Sequence, residues 1–512
     1  MRSPYQYITI KAHPQPHYFR AYQETTTTKL KTKSRPPKTE SELEFIRMEK
    51  QHLHFLVATF PFQGHINPAL HLAKRLALNT GSQVTFSTTV SAHRRMFPSL
   101  SEIGSLETQD ELITYIPFSD GHDDNIGMPQ DFNAYMSDFN HIGSQTLSEI
   151  IGSLASSGRP VSCIICTLLL PWAADVARDH NIPSALYWIQ PATIFAIYYH
   201  YFNGYGGVVR SNHNDPSYVV ELPGLPPYKI KDLPNFVTQA FQEEDQFHSI
   251  YLSFSQLFQT LLKQRTDKSK PLVLINTFAA LEKKELAIFT ELEMLPIGPL
   301  LPLMIEESGN GGSLFRHDEK GYLEWLDSKP QKSVVYMSFG SLANVKKDQL
   351  EELLNALEDC EKPYIWVVRK DNRIEGVDFE CVKNGMVVEW CNQVKVLSHS
   401  SVGCFVTHCG WNSVSESIAC GVVMVGAPRL SDQTINARLI EEVWGVGVRA
   451  EVGEDGVLKK KELIRCLDLV MGDGEAAAQM RKMAMFWKEK AGEATSKDGL
   501  SDRNLMAFVN RI

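Results

Sequence analysis

WCNQVKVLSHSSVGCFVTHCGWNSVSESIACGVVMVGAPRLSDQ, residues 390–433, alternates short apolar runs with turn residues and one helical face. Val402–Thr407 is rich in β-branched residues, which predicts a buried strand. His408, Cys409 and Gly410 break the run, and Asn412 and Ser413 are good helix-opening residues, so a strand ends where a helix begins. The first N–H groups of such a helix have no internal partner and lie at the positive end of its dipole. Trp411, Asn412 and Ser413 therefore surround a seat suited to phosphate. Glu416 falls on the same helical face as Asn412 and Ser413, where a carboxylate can accept from vicinal hydroxyls such as those of a ribose. Gly421 ends the helix. A second apolar strand, 422–425, leads through Pro428 to Asp432 and Gln433 at another strand exit, where ligands of open α/β sheets collect.

In length and order this segment resembles the sugar-nucleotide signature of plant UDP-dependent glycosyltransferases. The resemblance implies that Trp390 stacks on uracil, that Cys391 and Gln393 meet base and ribose, and that Glu416 holds the ribose hydroxyls. It further implies that His408, Asn412 and Ser413 hold the diphosphate, and that Trp411, Asp432 and Gln433 hold the sugar. A final Gln, as here, is associated in the family with glucose. Asn392 and Val423 stand where the family usually has Pro, and Leu430 where it often has Trp, a departure at the sugar end.

At 512 residues the chain exceeds one ordinary core and predicts two domains. Hydrophobic residues at 43% and charged residues at 22% fit a soluble globular protein without a membrane span. A net charge of -9 argues against nucleic acid as a partner. Nine cysteines without framework spacing fit reduced thiols in the cytoplasm. Residues 1–47, basic and threonine-rich, read as a disordered extension ahead of Met48; a plastid transit peptide is the alternative, since the Arg- and Thr/Ser-rich bias is shared.

The apolar run 53–60 predicts a first strand, followed by Pro61-Phe62-Gln63-Gly64-His65-Ile66-Asn67-Pro68, with Asn67 capping and Pro68 opening the next helix. His65 is thereby placed in a turn at the carboxyl edge of that strand, facing a crevice. GHINP resembles the family motif in which this His is the general base. The acidic loop 117–124 lacks metal-ligand spacing and reads as a solvated loop near an acceptor entrance. Cys163 and Cys166 have redox spacing but fall within a predicted strand, so they read as core. Aligned with the family pattern, Thr167 occupies the position of the Asp that usually orients the catalytic His. Aromatics between 185 and 205 read mostly as core, some lining an apolar acceptor pocket.

A polar, Gly-rich stretch at 306–313 marks the domain boundary, and a second β-turn-α-β series begins at Val334. Ser341, in a Gly-Ser turn at its first strand exit, resembles the family's second diphosphate contact. His399, Cys404, His408, Cys409 and Cys420 lack the paired spacing of a zinc site, and no nucleophile elbow, Walker loop or dinucleotide fingerprint occurs.

The expected fold is α/β, two Rossmann-like domains facing across a cleft, the GT-B arrangement. Residues 48–300 would bind the acceptor, 301–317 link, 318–485 bind UDP-sugar, and 486–512 return as a helix to the first domain. The expected reaction is inverting, metal-free transfer from UDP-glucose, a co-substrate rather than a cofactor, to a hydrophobic small molecule, by a monomer. The resemblance is nearest the branch with anthocyanin 5-O-glucosyltransferases and enzymes forming glucose esters of auxin, abscisate or crocetin. The alternative is a UDP-sugar-binding protein of the same fold with weak catalysis.

Overall fold

The computed structural model describes residues 53–512 apart from 99–106, 125–129, 265–269, 303–320, 341–345, 375, 380–381 and 454–455. The expectations for residues 1–47, for most of the 301–317 linker and for Ser341 lie outside the described residues.

The first half builds one sheet from β1 (His54–Ala58), β2 (Gln83–Ser87), β3 (Thr108–Gln109), β4 (Thr114–Tyr115), β5 (Cys163–Cys166), β6 (Ser184–Trp188), β9 (Leu272–Ile275) and β10 (Glu293–Pro296). Between them, β7 (Val219–Val220) and β8 (Tyr228–Lys229) form a separate antiparallel pair. The large sheet runs β10-β9-β6-β5-β1-β2-β4-β3, parallel throughout except for the β3 edge. Phe55, Leu56, Val57 and Ala58 of β1 are all inaccessible, as expected for a parallel strand covered on both faces. Strand order reverses between β1 and β5, so the switch point of this sheet lies between their carboxyl ends.

The second half repeats the logic with β11 (Val334–Ser338), β12 (Tyr364–Val367), β13 (Gly385–Val388), β14 (Val402–Thr407), β15 (Val423–Gly426) and β16 (Gly447–Arg449), ordered β13-β12-β11-β14-β15-β16 and wholly parallel. Its switch point lies between β11 and β14. The long helix Glu475–Thr495 packs against the helix Trp411–Cys420 of the second half. The last helix, Leu500–Val509, lies on the first sheet: Phe508 meets Phe55 with ring centroids 5.7 Å apart, Ser501 Oγ donates to the Gly298 carbonyl at 2.7 Å, and Asn504 Nδ2 donates to the Pro296 carbonyl at 2.8 Å. No helix among the described residues is long and apolar enough to cross a membrane.

One predicted boundary is corrected. The helix after β1 begins at Gln63, not at Pro68, and His65 lies in its first turn. The Phe62 carbonyl takes the N–H of His65 at 2.8 Å and of Ile66 at 2.9 Å, which closes that turn early. Asn67 caps nothing; its Oδ1 accepts from Gln63 Nε2, and Pro68 sits inside the helix. An interior proline costs roughly 3 kcal/mol or more unless the carbonyl it strands finds another donor.

Candidate active site

The residues singled out by sequence gather at the two switch points. His65 follows β1 and Thr167 follows β5, side by side in the first sheet; Gly340 follows β11 and His408 follows β14, side by side in the second.

His65 is half-buried. Its Nδ1 is enclosed and has no hydrogen-bond partner among the described residues, which leaves Nε2 as the accessible nitrogen. Burial pushes its pKa down to about 4, so the ring is neutral at physiological pH. Thr167 does not serve it: its hydroxyl pairs with that of Thr59 at 3.0 Å, both side chains being fully buried. Phe60 lies 5.5 Å from the His65 ring and leads an aromatic cluster with Phe62, Phe139 and Trp172, whose successive centroids are 4.8 to 5.8 Å apart. Phe132, Tyr135 and Phe139, spaced three and four apart on the helix Phe132–Ser156, supply one wall of it. That spacing was available in the sequence as a signal for an aromatic face beside the cleft. Of the aromatics between 185 and 205, most are core, as expected: Trp188, Phe195 and Tyr198 are inaccessible and pack among Phe254 and Phe258.

The loop 117–124 is tied into the protein. Asp120 accepts from Tyr135 at 2.9 Å, Asp123 from Ser119 at 2.8 Å, and Asp124 pairs with Arg94 at 2.7 Å. Cys163 and Cys166 are buried, and burial pushes the Cys166 thiol up to about 12, far from redox reactivity.

In the second half, the helix Trp411–Cys420 starts one residue before the predicted opening. Its N-cap is Gly410, which offers no side-chain oxygen, so the first-turn N–H groups lack a capping side chain. His408 lies across this entrance, wedged between two glycines. A Cβ on Gly340 would approach its ring to 2.7 Å, and one on Gly410 would collide with it outright. The His408 ring is therefore what fills the space a side chain would need at both places, and Gly340 has in addition a left-handed φ of 78°. Burial lowers the His408 pKa to about 4. Arg429 stacks over Phe339 at 5.2 Å, beside the same turn.

Gln393 Nε2 donates both to Ser413 Oγ at 2.9 Å and to Glu416 Oε2 at 2.7 Å, and its Oε1 accepts from Tyr336 at 3.1 Å. Cys391 is buried against the same tyrosine hydroxyl, at 3.5 Å, and Trp390 is half-buried at the rim. Glu416 is thus fixed by one amide, and burial raises its pKa to about 7. Beyond β15, Asn436 Nδ2 bridges Asp432 Oδ2 at 2.7 Å and the Cys409 carbonyl at 2.9 Å, tying the Asp432 loop to the turn after β14. Gln433 Oε1 accepts from the N–H groups of Arg429 and Leu430 at 2.9 and 3.0 Å, which leaves its amide N–H groups as what it can offer a ligand. Asp432 is buried, and burial raises its pKa to about 6.

Three bonds hold the halves in register at this site. Trp411 Nε1 donates to the Asn276 carbonyl, just past β9, at 2.7 Å, so the indole N–H is committed to the fold. Asn412 Nδ2 donates to the Gly64 carbonyl at 3.0 Å, and the Ser431 N–H donates to Asn235 Oδ1 at 2.8 Å. Arg449 adds an ion pair to buried Asp232 at 2.9 Å.

Residues 209–490 match the family described as UDP-glucoronosyl and UDP-glucosyl transferase. Among curated relatives, UDP-glycosyltransferase 75C1 of Solanum lycopersicum is 44% identical over 472 residues, covering 90% of this chain and 98% of that protein. The crocetin glucosyltransferase, chloroplastic, of Gardenia jasminoides is 44% identical over 476 residues, covering 90% and 97%. Among solved structures, Os79 from O. sativa in complex with UDP superposes with a TM-score of 0.76 at 31% identity, covering 89% of this chain and 99% of that one. With two facing Rossmann-like halves and the nucleotide signature at the second switch point, the chain belongs to the plant UDP-glycosyltransferases of the UDP-glucoronosyl and UDP-glucosyl transferase family and has their GT-B fold.

Proposed function

We propose that this enzyme transfers glucose from UDP-glucose to a hydrophobic small molecule bearing a phenol or a carboxylate, with inversion at the anomeric carbon and without a metal. The observation that carries this reading is the tie between His65, neutral at pH 7, and the helix entrance at Asn412 through Gly64. His65 Nε2 takes the acceptor's proton as its oxygen attacks the anomeric carbon, and UDP leaves from the opposite face. Charge growing on the diphosphate meets the uncapped N–H groups of residues 411–413, with His408 beside them, so fixed dipoles take the part that a metal ion plays elsewhere. Glu416, oriented by Gln393, holds the ribose; Asp432 and Gln433 hold glucose. The aromatic cluster behind His65 supports an apolar acceptor, in keeping with a relative named for crocetin, a long apolar diacid.

The test is UDP release from UDP-glucose across a panel of phenols and carboxylic acids, with product anomers assigned by NMR, with and without EDTA. Turnover that EDTA does not affect, giving β-glucosides and lost in His65→Ala, is expected. UDP-glucose binding without turnover on any acceptor would leave a binding protein; retention of activity in His65→Ala would remove the base.

A further inference from the structure

Pro68 sits six residues into its helix, where the residue ordinarily donates its N–H to the carbonyl four positions earlier, here Gly64. Proline has no N–H to give. The Gly64 carbonyl is instead met from the other half of the molecule by Asn412 Nδ2 at 3.0 Å. Gly64 immediately precedes His65, and Asn412 is the second residue of the helix whose entrance is the diphosphate seat. A missing hydrogen bond in one half is thus the acceptor of a bond that joins the two reacting groups.

We propose that Pro68 is a positioning residue for glycosyl transfer: by withholding an N–H from the Gly64 carbonyl, it removes the intrahelical donor that would compete with the Asn412 amide there, and so helps set the His65 turn against the diphosphate helix. The proposal rests on the reading of His65 as base. Three features favour a registering role over an incidental contact. The neighbouring residue Trp411 also reaches across, through Nε1 to the Asn276 carbonyl, so the helix entrance is fixed at two points to two strand exits of the first sheet. The first turn is braced from within by Gln63 and Asn67, so the Gly64 carbonyl moves with the His65 backbone as one piece. The Asn412 amide carries two N–H groups, and Gly64 uses one, leaving the other for an anion at the same time. Donor and base are then held through a single side chain, and an oxygen nucleophile is sensitive to that geometry: a misplacement of about 1 Å can cost on the order of 100-fold.

Pro68→Ala separates this role from a structural one because the two predict opposite outcomes. Alanine favours the helix and supplies an N–H that draws the Gly64 carbonyl toward the helix axis in competition with Asn412, so thermal stability should hold or rise. The transfer rate should nevertheless fall roughly tenfold as the Asn412 bond is displaced, while UDP affinity stays essentially unchanged. Rates are read by single turnover with enzyme in excess, so that slow variants remain measurable. In an Asn412→Ala background, where the bond is already absent, Pro68→Ala should cost nothing further. An unchanged rate in Pro68→Ala, an equal loss in the Asn412→Ala background, or a fall in Tm would each overturn the proposal. His65→Ala is run alongside. Activity surviving there would remove the base reading itself, whereas an inactive His65→Ala with a fully active Pro68→Ala would remove only the positioning role.

Discussion

The hydroxyls of Thr59 and Thr167 lie 3.0 Å apart, buried just past the ends of β1 and β5, and bond to each other, while the His65 Nδ1 has no hydrogen-bond partner among the described residues. A carboxylate beside a catalytic imidazole would hold its tautomer and stabilise the cation formed on proton uptake. Thr167 carries no charge for either service, so in the base role proposed above His65 works without a carboxylate partner at that position.

Acceptors differ in how much they need that base. A carboxylic acid, with a pKa of about 4, reaches the site already ionised, whereas a simple phenol near about 10 does not. Carboxylates, forming glucose esters, are therefore the expected better substrates. Thr167→Asp should raise kcat/KM for a phenol more than for an acid. Equal changes in both, or a wild-type enzyme active on phenols alone, would defeat the expectation.

Burial holds the His65 pKa at about 4 against an ordinary 6.5. At saturating donor, kcat/KM for a carboxylate acceptor should therefore show no break near 6.5 as pH falls. Stability runs the same way. Between 4 and 6.5 the unfolded chain binds the proton and the folded one does not, so this histidine's contribution is lost as pH falls through that window. His93 and His408, also held at about 4 by burial, add to the same slope. A pH–rate profile with circular dichroism at each point checks both; an acid limb at 6–7 on intact protein would contradict the assignment.

How much of this was readable beforehand depended on sequence distance. His408, Asn412, Glu416, Asp432 and Gln433 lie within one stretch whose strand-turn-helix pattern is local, so their placement at strand exits and on one helix was legible. The bonds that register the site were not. Asn412 and Gly64 are 348 positions apart, Trp411 and Asn276 135, and Thr59 and Thr167 108. The misjudged helix start has the same origin. Proline reads as a first helical position when only local donors are counted, and here the Gly64 carbonyl it leaves without its N–H is met from the other half. Aromatic density read mostly as core, and the packing of Phe254 and Phe258 against Trp188, Phe195 and Tyr198 places those three there.

Glu416 combines a buried carboxyl, its pKa raised to about 7, with a single orienting amide from Gln393. In the ribose role proposed for it, the anion would accept strongly from two hydroxyls and the protonated acid weakly. UDP affinity should therefore weaken between about pH 8 and pH 6, and Glu416→Gln should flatten that dependence. Glu416→Ala should raise the UDP dissociation constant by on the order of tenfold, the scale of a lost hydrogen bond to a charged group. Calorimetric titration with UDP across this range is the check; a flat wild-type profile or an unaltered affinity in the alanine variant would dismiss the ribose role.

The last expectation concerns Asn235, in the first half, which steadies the sugar end of the second. Ser431 has φ of 63°, a left-handed conformation costing a non-glycine residue roughly 1–2 kcal/mol. Its N–H is held at 2.8 Å by Asn235 Oδ1, a bond worth about 0.5–1.5 kcal/mol, so the two terms are comparable and the bond decides the conformation. Asp432 and Gln433 follow directly, and their side chains are already committed to Asn436 and to the loop's own N–H groups. Releasing Ser431 should let this loop relax while the helix entrance, fixed separately through Asn412 and Trp411, stays in place. Asn235→Ala should thus raise KM for UDP-glucose several-fold, within the roughly tenfold that about 1.4 kcal/mol allows, and leave UDP affinity unchanged. Asn235→Asp, which keeps the accepting oxygen, should restore most of the loss. Equal weakening of UDP and UDP-glucose in Asn235→Ala would show that the bond supports the whole second half and not its sugar loop.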